Sequence, residues 1–133
     1  YVREALAMLD GIAGLRALSH ITGDGFLNLT RVAAPVGFLL DATPEPQPIF
    51  RALAERGSVT AGDMYAVYNM GVGLCAIVAE TGVDAVIAAA ALEGKEAWRI
   101  GTVTGDAGSV RIPANPLTGG DLVGSGKQFR PDS

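Results

Sequence analysis

The chain is poor in the residues that carry covalent and metal chemistry, with one cysteine, one histidine and one tryptophan in 133 residues. A lone cysteine, Cys75, can form no internal disulfide, which fits a reducing cytoplasm. It stands in an apolar run and reads as a small core residue rather than a nucleophile. One His and one Cys make no zinc-type ligand set. A Ser–His–Asp triad would have to recruit His20, and no nucleophile-elbow sequence accompanies it. Basic charge is also short: ten Lys and Arg against fourteen Asp and Glu give a net charge of −4. The ten cations are scattered, which excludes the basic face that nucleic acid selects. No apolar run reaches the roughly 18 residues that span a bilayer. No basic–apolar leader starts at Tyr1 either, so neither a membrane anchor nor a signal peptide is expected. Tyr1 in place of Met reads as the start of a fragment or trimmed chain.

What is present is apolar residues (49%) and 18 glycines. That composition predicts an ordered single domain over 1–133 with high burial. Helical spacing of Val2, Ala5, Leu6, Met8, Leu9 and Ile12 predicts a first helix over 1–10, closed by Gly11 and Gly14. Leu15–Ile21 reads as a strand. Gly25–Val32 follows as one or two helical turns stopped by Pro35, with Asn28 and Arg31 on a solvated face. Val36–Leu40 is a short strand. Pro44, Pro46 and Pro48 make the next segment stiff and extended, either a surface connection or a support that holds Glu45 over a site. Pro48 suits the first turn of a helix over 49–56.

Ser58 or Thr60 can cap the next helix, with Asp63 three residues after Thr60 in an approximate capping box, and that helix runs to about Tyr68. Leu74–Ala79 reads as a strand. Thr81–Leu92 reads as an alanine-rich helix with Val83, Val86, Ile87 and Ala90 as its core stripe. Glu96–Val103 reads as a strand anchored in the core by Trp98, and Gly105–Gly108 as a hairpin loop to a returning strand, Val110–Ile112. From Pro113 to Ser133 the composition predicts a loop-rich tail. Strands separated by helices imply an α+β (α/β sandwich) fold, a mixed β-sheet with packed helices.

The candidate site is the stretch His20-Ile21-Thr22-Gly23-Asp24-Gly25. A strand leaves through a tight Gly-x-Gly turn into a helix, and backbone N–H groups at such a turn favour an anionic oxygen such as phosphate. The Thr22 hydroxyl and the His20 imidazole stand at its lip. Imidazole both gives and takes protons near neutral pH. The second glycine cluster, Asn69-Met70-Gly71-Val72-Gly73, marks a close backbone approach to a ligand or to another strand.

Four ordered blocks, His20–Gly25 (HITGDG), Pro48-Ile49-Phe50, Asn69–Gly73 (NMGVG) and Glu96–Gly101 (EAWRIG), resemble the C-terminal domain of aminoimidazole ribonucleotide synthetase, the phosphoribosylformylglycinamidine cyclo-ligase family. The resemblance covers about Tyr1 to Val103. The family's first block is HITGGG, so Asp24 is a departure, one that would repel phosphate unless it turns away or meets Mg²⁺. The resemblance implies the second domain of a two-domain, homodimeric cytoplasmic enzyme. ATP and Mg²⁺ would bind mainly to an N-terminal domain, and a phosphorylated ribonucleotide would lie between the domains. It further implies His20 as the catalytic residue, with Thr22, Gly23, Asp24, Gly25 and Asn69 as substrate or phosphate ligands, and no metal ligand in this chain. Two other readings compete. One is the equivalent domain of a fold relative: formylglycinamidine ribonucleotide synthase, selenophosphate synthetase, thiamine-monophosphate kinase or a hydrogenase-maturation dehydratase. The other is a non-catalytic ligand-binding or assembly module.

Overall fold

A computed structural model describes residues 1–115, 117–122 and 126–131, with the backbone alone at 121, 122, 126 and 127. The remaining parts of the expected tail, at 116, 123–125 and 132–133, lie outside the described residues. In order, the elements are α1 (Val2–Gly11), β1 (Leu15–His20), a 3₁₀ helix (Gly25–Arg31), β2 (Gly37–Leu39), α2 (Pro48–Gly57), α3 (Ala61–Val67) and β3 (Leu74–Val78). A 3₁₀ turn (Glu80–Gly82), α4 (Val83–Leu92), β4 (Thr102–Thr104), β5 (Ser109–Ile112), β6 (Leu117–Leu122) and β7 (Gly126–Pro131) complete them. Helices together with a mixed five-stranded sheet make the α+β architecture that the sequence predicts. No helix among the described residues is long and apolar enough to cross a membrane.

The chain forms two compact units. The first, Tyr1–Ser19 with Leu74–Arg99, pairs β1 with β3 and packs α1 on α4. Met8 is buried in it, and so is Cys75. The apolar residues of α1 do not all turn inward: Val2, Leu6 and Leu9 are 74%, 55% and 62% exposed, a stripe at i, i+4 and i+7 facing solvent. In α4, Ala90 is buried while Leu92 is exposed. Two sequence expectations are corrected here. Residues 96–101 form no strand, and Trp98 is 42% exposed rather than a core anchor.

The second unit, His20–Gly73 with Ile100–Ser133, carries the sheet in the order β4-β2-β5-β6-β7. Strand β2 is antiparallel to β4 and parallel to β5. The expected hairpin is therefore not formed: β4 and β5 are separated by β2, and the 105–108 loop crosses its start. Gly108 N–H donates to the Val36 carbonyl at 2.8 Å. A Cβ on Gly37 would lie 2.1 Å from the Asp106 carbonyl, so only glycine fits beneath that crossing. The stretch from Pro113, expected to be loop-rich, instead supplies β6 and β7, an antiparallel pair registered Thr118 to Arg130 and Gly119 to Phe129. Cross-strand bonding there outweighs a glycine-rich composition that argues against strands.

Along β5 the side chains alternate, Val110 and Ile112 fully buried and Arg111 exposed, as the period of a half-covered strand requires. The covering layer is the 3₁₀ helix with α3, which pack against each other and against the sheet. Phe26, Leu27 and Leu29 enter the core at 2% exposure or less. Helix α2 starts on Pro48, which fits its fixed φ and missing N–H. Helix α3 starts on Thr60, whose hydroxyl accepts the Asp63 N–H at 3.2 Å, a cap that stabilises by about 1 kcal/mol.

Candidate functional site

The predicted site residues all belong to the second unit. Strand β1 ends at His20, and the next residue, Ile21, is buried with its N–H bonded to the Gly73 carbonyl at 2.9 Å. That bond joins the exit of β1 to the end of the Asn69–Gly73 cluster, so the two glycine segments are held side by side. The chain then turns sharply, the Gly25 N–H donating to the Thr22 carbonyl at 2.8 Å. The Asp24 carbonyl accepts from Leu27 N–H at 3.0 Å and starts the 3₁₀ helix.

The two glycines of this turn are needed for different reasons. Gly25 has φ +52°, and a Cβ there would lie 2.1 Å from the Tyr65 carbonyl and 2.8 Å from that of Tyr68. It is the point at which the turn sits on α3, a close backbone approach that excludes every side chain. Gly23 meets nothing within 4 Å at its Cβ position. Its side of the turn is open. His20, Thr22 and Gly23 are exposed, Asp24 half-buried. Among the described residues, neither the Gly23 nor the Asp24 amide donates within the chain. Two N–H donors are thus available at the exposed lip, the arrangement that receives an anionic oxygen.

Asn28 and Arg31 were expected on a solvated face, and the structure corrects this for Asn28. It is 2% exposed, and its Nδ2 donates to the Gly25 carbonyl at 2.8 Å. Its Oδ1 is buried with no hydrogen-bond partner among the described residues. The 3₁₀ repeat explains the difference: three residues per turn place Asn28 directly over Gly25, where a 3.6-residue period would rotate it away. Arg31 is exposed and pairs with the Asp24 carboxylate. The one acidic side chain on the turn is thereby offset by a guanidinium, a contact that solvent keeps modest in energy.

The Asn69 cluster is a tight turn with Met70 at φ +52° and Gly71 at φ +95°. Val72 N–H donates to the Asn69 carbonyl at 2.9 Å, and Gly71 N–H to Asn69 Oδ1 at 3.0 Å. The side-chain oxygen of Asn69 is therefore committed to its own turn. Tyr65 supports the first turn in two ways: its carbonyl faces Gly25, and its ring stacks on Phe26 at 6.0 Å between centroids. Burial raises the Tyr65 hydroxyl above its usual 10.0, opposed by a hydrogen bond from Asn115. In the first unit burial pushes the Cys75 thiol up to about 12, which keeps it protonated and unreactive. No group of three His, Cys, Asp or Glu side chains that could hold a metal exists among the described residues.

Sequence reasoning set Asn28 and Arg31 on a solvated face and did not single out Tyr65. A buried polar residue in an otherwise apolar FLNL run was the available signal for Asn28. For Tyr65 there was none, because its contact with Gly25 links residues forty positions apart.

The family model described as "AIR synthase related protein, C-terminal domain" matches residues 1–112. Among curated proteins, the chain is 43% identical over 114 residues to a phosphoribosylformylglycinamidine cyclo-ligase of Methanothermobacter thermautotrophicus, covering 86% of this chain and 32% of that protein. It is 35% identical over 124 residues to the protein of the same name in Methanocaldococcus jannaschii, covering 92% and 35%. The chain spans about a third of the length of these relatives.

Proposed function

This chain belongs to the AIR synthase related protein, C-terminal domain family, and on that premise we propose that it is the substrate-side domain of an ATP-dependent cyclo-ligase. The reaction closes the imidazole ring of aminoimidazole ribonucleotide from formylglycinamidine ribonucleotide in purine biosynthesis. The observation that carries this reading is the 43% identity, over 86% of the chain, to a protein named for that reaction. No other activity is named among the similar proteins described above.

In this reading ATP converts the formyl amide oxygen into a phosphoryl ester, releasing ADP, and the amidine nitrogen attacks that carbon, closing the ring and releasing phosphate. Phosphoryl transfer asks the protein for position and charge stabilisation rather than covalent help. The Gly23 and Asp24 N–H groups would hold a phosphate or oxyanion of the ribonucleotide. The Thr22 hydroxyl would add a further donor, and His20 would carry a proton at the reacting centre. Gly25 and Asn69 then serve the shape of the two turns. The described residues offer no fitting set of ligands for Mg²⁺, so no step here runs through the metal. ATP and Mg²⁺ would belong to an N-terminal domain within the other two thirds of the enzyme's length. The exposed Val2, Leu6 and Leu9 stripe supports such a covering domain, since an apolar helix face is costly in water. A cytoplasmic homodimer completes the proposal.

The test is a chimera in which this chain replaces the matching third of the Methanothermobacter relative. ADP release and imidazole formation are followed together. Ring closure by the folded chimera, lost at least tenfold on His20→Ala, is expected. A folded chimera that releases ADP without forming the ring would sink the reading.

A further inference from the structure

The second unit contains an open pocket of about 230 Å³ lined by residues of α2, α3 and the segments beside them, Tyr65 among them. It plays no part in the function proposed above. Its walls are largely apolar and soft, with Phe50, Met64 and Met70 in the lining. Thioethers adapt to the flat face of an aromatic ring. Ala54 of α2 and Ala61 of α3 are the small residues of the lining. Met70 reaches this wall from a left-handed backbone conformation, φ +52°, which is costly for a residue with a side chain. It is nonetheless 6% exposed.

Polar groups are few and gathered at the edge. The Tyr65 hydroxyl accepts from Asn115 Nδ2 at 2.9 Å, so its own proton is still to be donated. Asn115 in turn presents an amide oxygen as acceptor. Arg51 is the single cation of the lining, and its guanidinium meets Glu45 at 3.0 Å. That pair is exposed on both sides, 70% and 81%, so an incoming anion exchanges with the Glu45 carboxylate at little cost.

We propose that this cavity is a binding site for a single-ring aromatic molecule with one anionic substituent. The ring lies between Phe50 and the two methionines. A hydroxyl or ring heteroatom meets Tyr65 and Asn115, and the anion takes Arg51. The volume sets the size, since drug-sized ligands fill about 300–1,000 Å³.

The chain supplies its own reporter: it has three methionines, Met64 and Met70 at the cavity and Met8 in α1. Methyl-labelled methionine in the whole chain is titrated with 4-hydroxybenzoate and observed by NMR. The Met64 and Met70 signals are expected to shift saturably while Met8 stays fixed. The uncharged 4-hydroxybenzamide is expected to bind at least tenfold more weakly, and Arg51→Gln to weaken 4-hydroxybenzoate by the same factor. Ala61→Leu, which fills the space from an exposed helix position, should abolish the shifts. Retained dispersion of the backbone amide spectrum of His20–Gly73 and 100–115 certifies the fold of its own unit, and Ala54→Leu is the second filling variant. Shifts of all three methyls, no shift at all, or equal binding by a folded filled variant would each overturn the site. None of these outcomes bears on ring closure.

Discussion

The two glycine turns, Thr22–Gly25 and Asn69–Val72, lie beside each other and are held in opposite ways. The second is closed from within: Asn69 accepts from Gly71 and Val72 with its own side-chain oxygen and carbonyl. The first is held from outside, by the α3 carbonyls against Gly25 and by the Asn28 amide on the Gly25 carbonyl. It leaves its own Gly23 and Asp24 amides open among the described residues. A turn closed by its own side chain commits that oxygen to its own shape. One that is braced from below and keeps donors outward has the form of a binding site.

That contrast breaks most visibly at Gly25. Gly25→Ala puts a Cβ onto the Tyr65 carbonyl and is expected to destabilise the fold by at least about 3 kcal/mol, read by denaturant unfolding. Gly23→Ala, two residues away, should stay within about 0.5 kcal/mol of the parent. Its added methyl should instead reduce anion binding at the open lip. Equal stability losses at the two glycines would erase the distinction between brace and lip.

Asn28→Asp is expected next in size. A carboxylate cannot donate to the Gly25 carbonyl, and a charge would be buried, so a loss of about 2–3 kcal/mol is expected. Gly71→Ala should cost about 1 kcal/mol through its φ of +95° alone, since nothing crowds its Cβ position. Per folded molecule it should leave anion binding at the Gly23 and Asp24 amides unchanged, because Gly71 lies on the other turn. Asp24→Asn removes an exposed ion pair and should hardly move stability. By releasing Arg31 it should tighten inorganic phosphate binding several-fold at low salt, measured by amide NMR titration.

The smallest effect is in alkali. Tyr65 titrates above 10.0 when folded, so it holds its proton more tightly in the native state. Its contribution to stability is full below pH 10 and is lost as pH rises through the folded value. Tyr65→Phe should flatten that part of the alkaline stability curve. The part due to Cys75, between its ordinary 9.0 and about 12, should remain.

Much of the local structure was legible. The Thr60–Asp63 cap, Pro48 at a helix start, the alternation of Val110 and Ile112 and the HITGDG turn were all readable from close neighbours. The misreadings share one origin. The Glu96–Val103 run has strand-like residues, yet only 102–104 finds a partner, in β2. The stretch after Pro113 looks poor in strand formers, yet β5 gives β6 an edge to join and β6 pairs with β7. Trp98 and the α1 stripe are apolar enough to be core, but the described residues leave them 42–74% exposed. Asn28 looks polar enough for the surface, but the 3₁₀ helix turns it inward onto Gly25.

By itself, the sequence determined where the chain bends and where several of its helices begin. Those properties depend on φ preferences, caps and spacing within a few residues. Only the tertiary structure decided which glycine is a brace and which is a lip, which strands meet, and which apolar faces stay in water. Each of these depends on atoms far apart in the chain, such as Gly25 and the Tyr65 carbonyl, and no local preference encodes that distance.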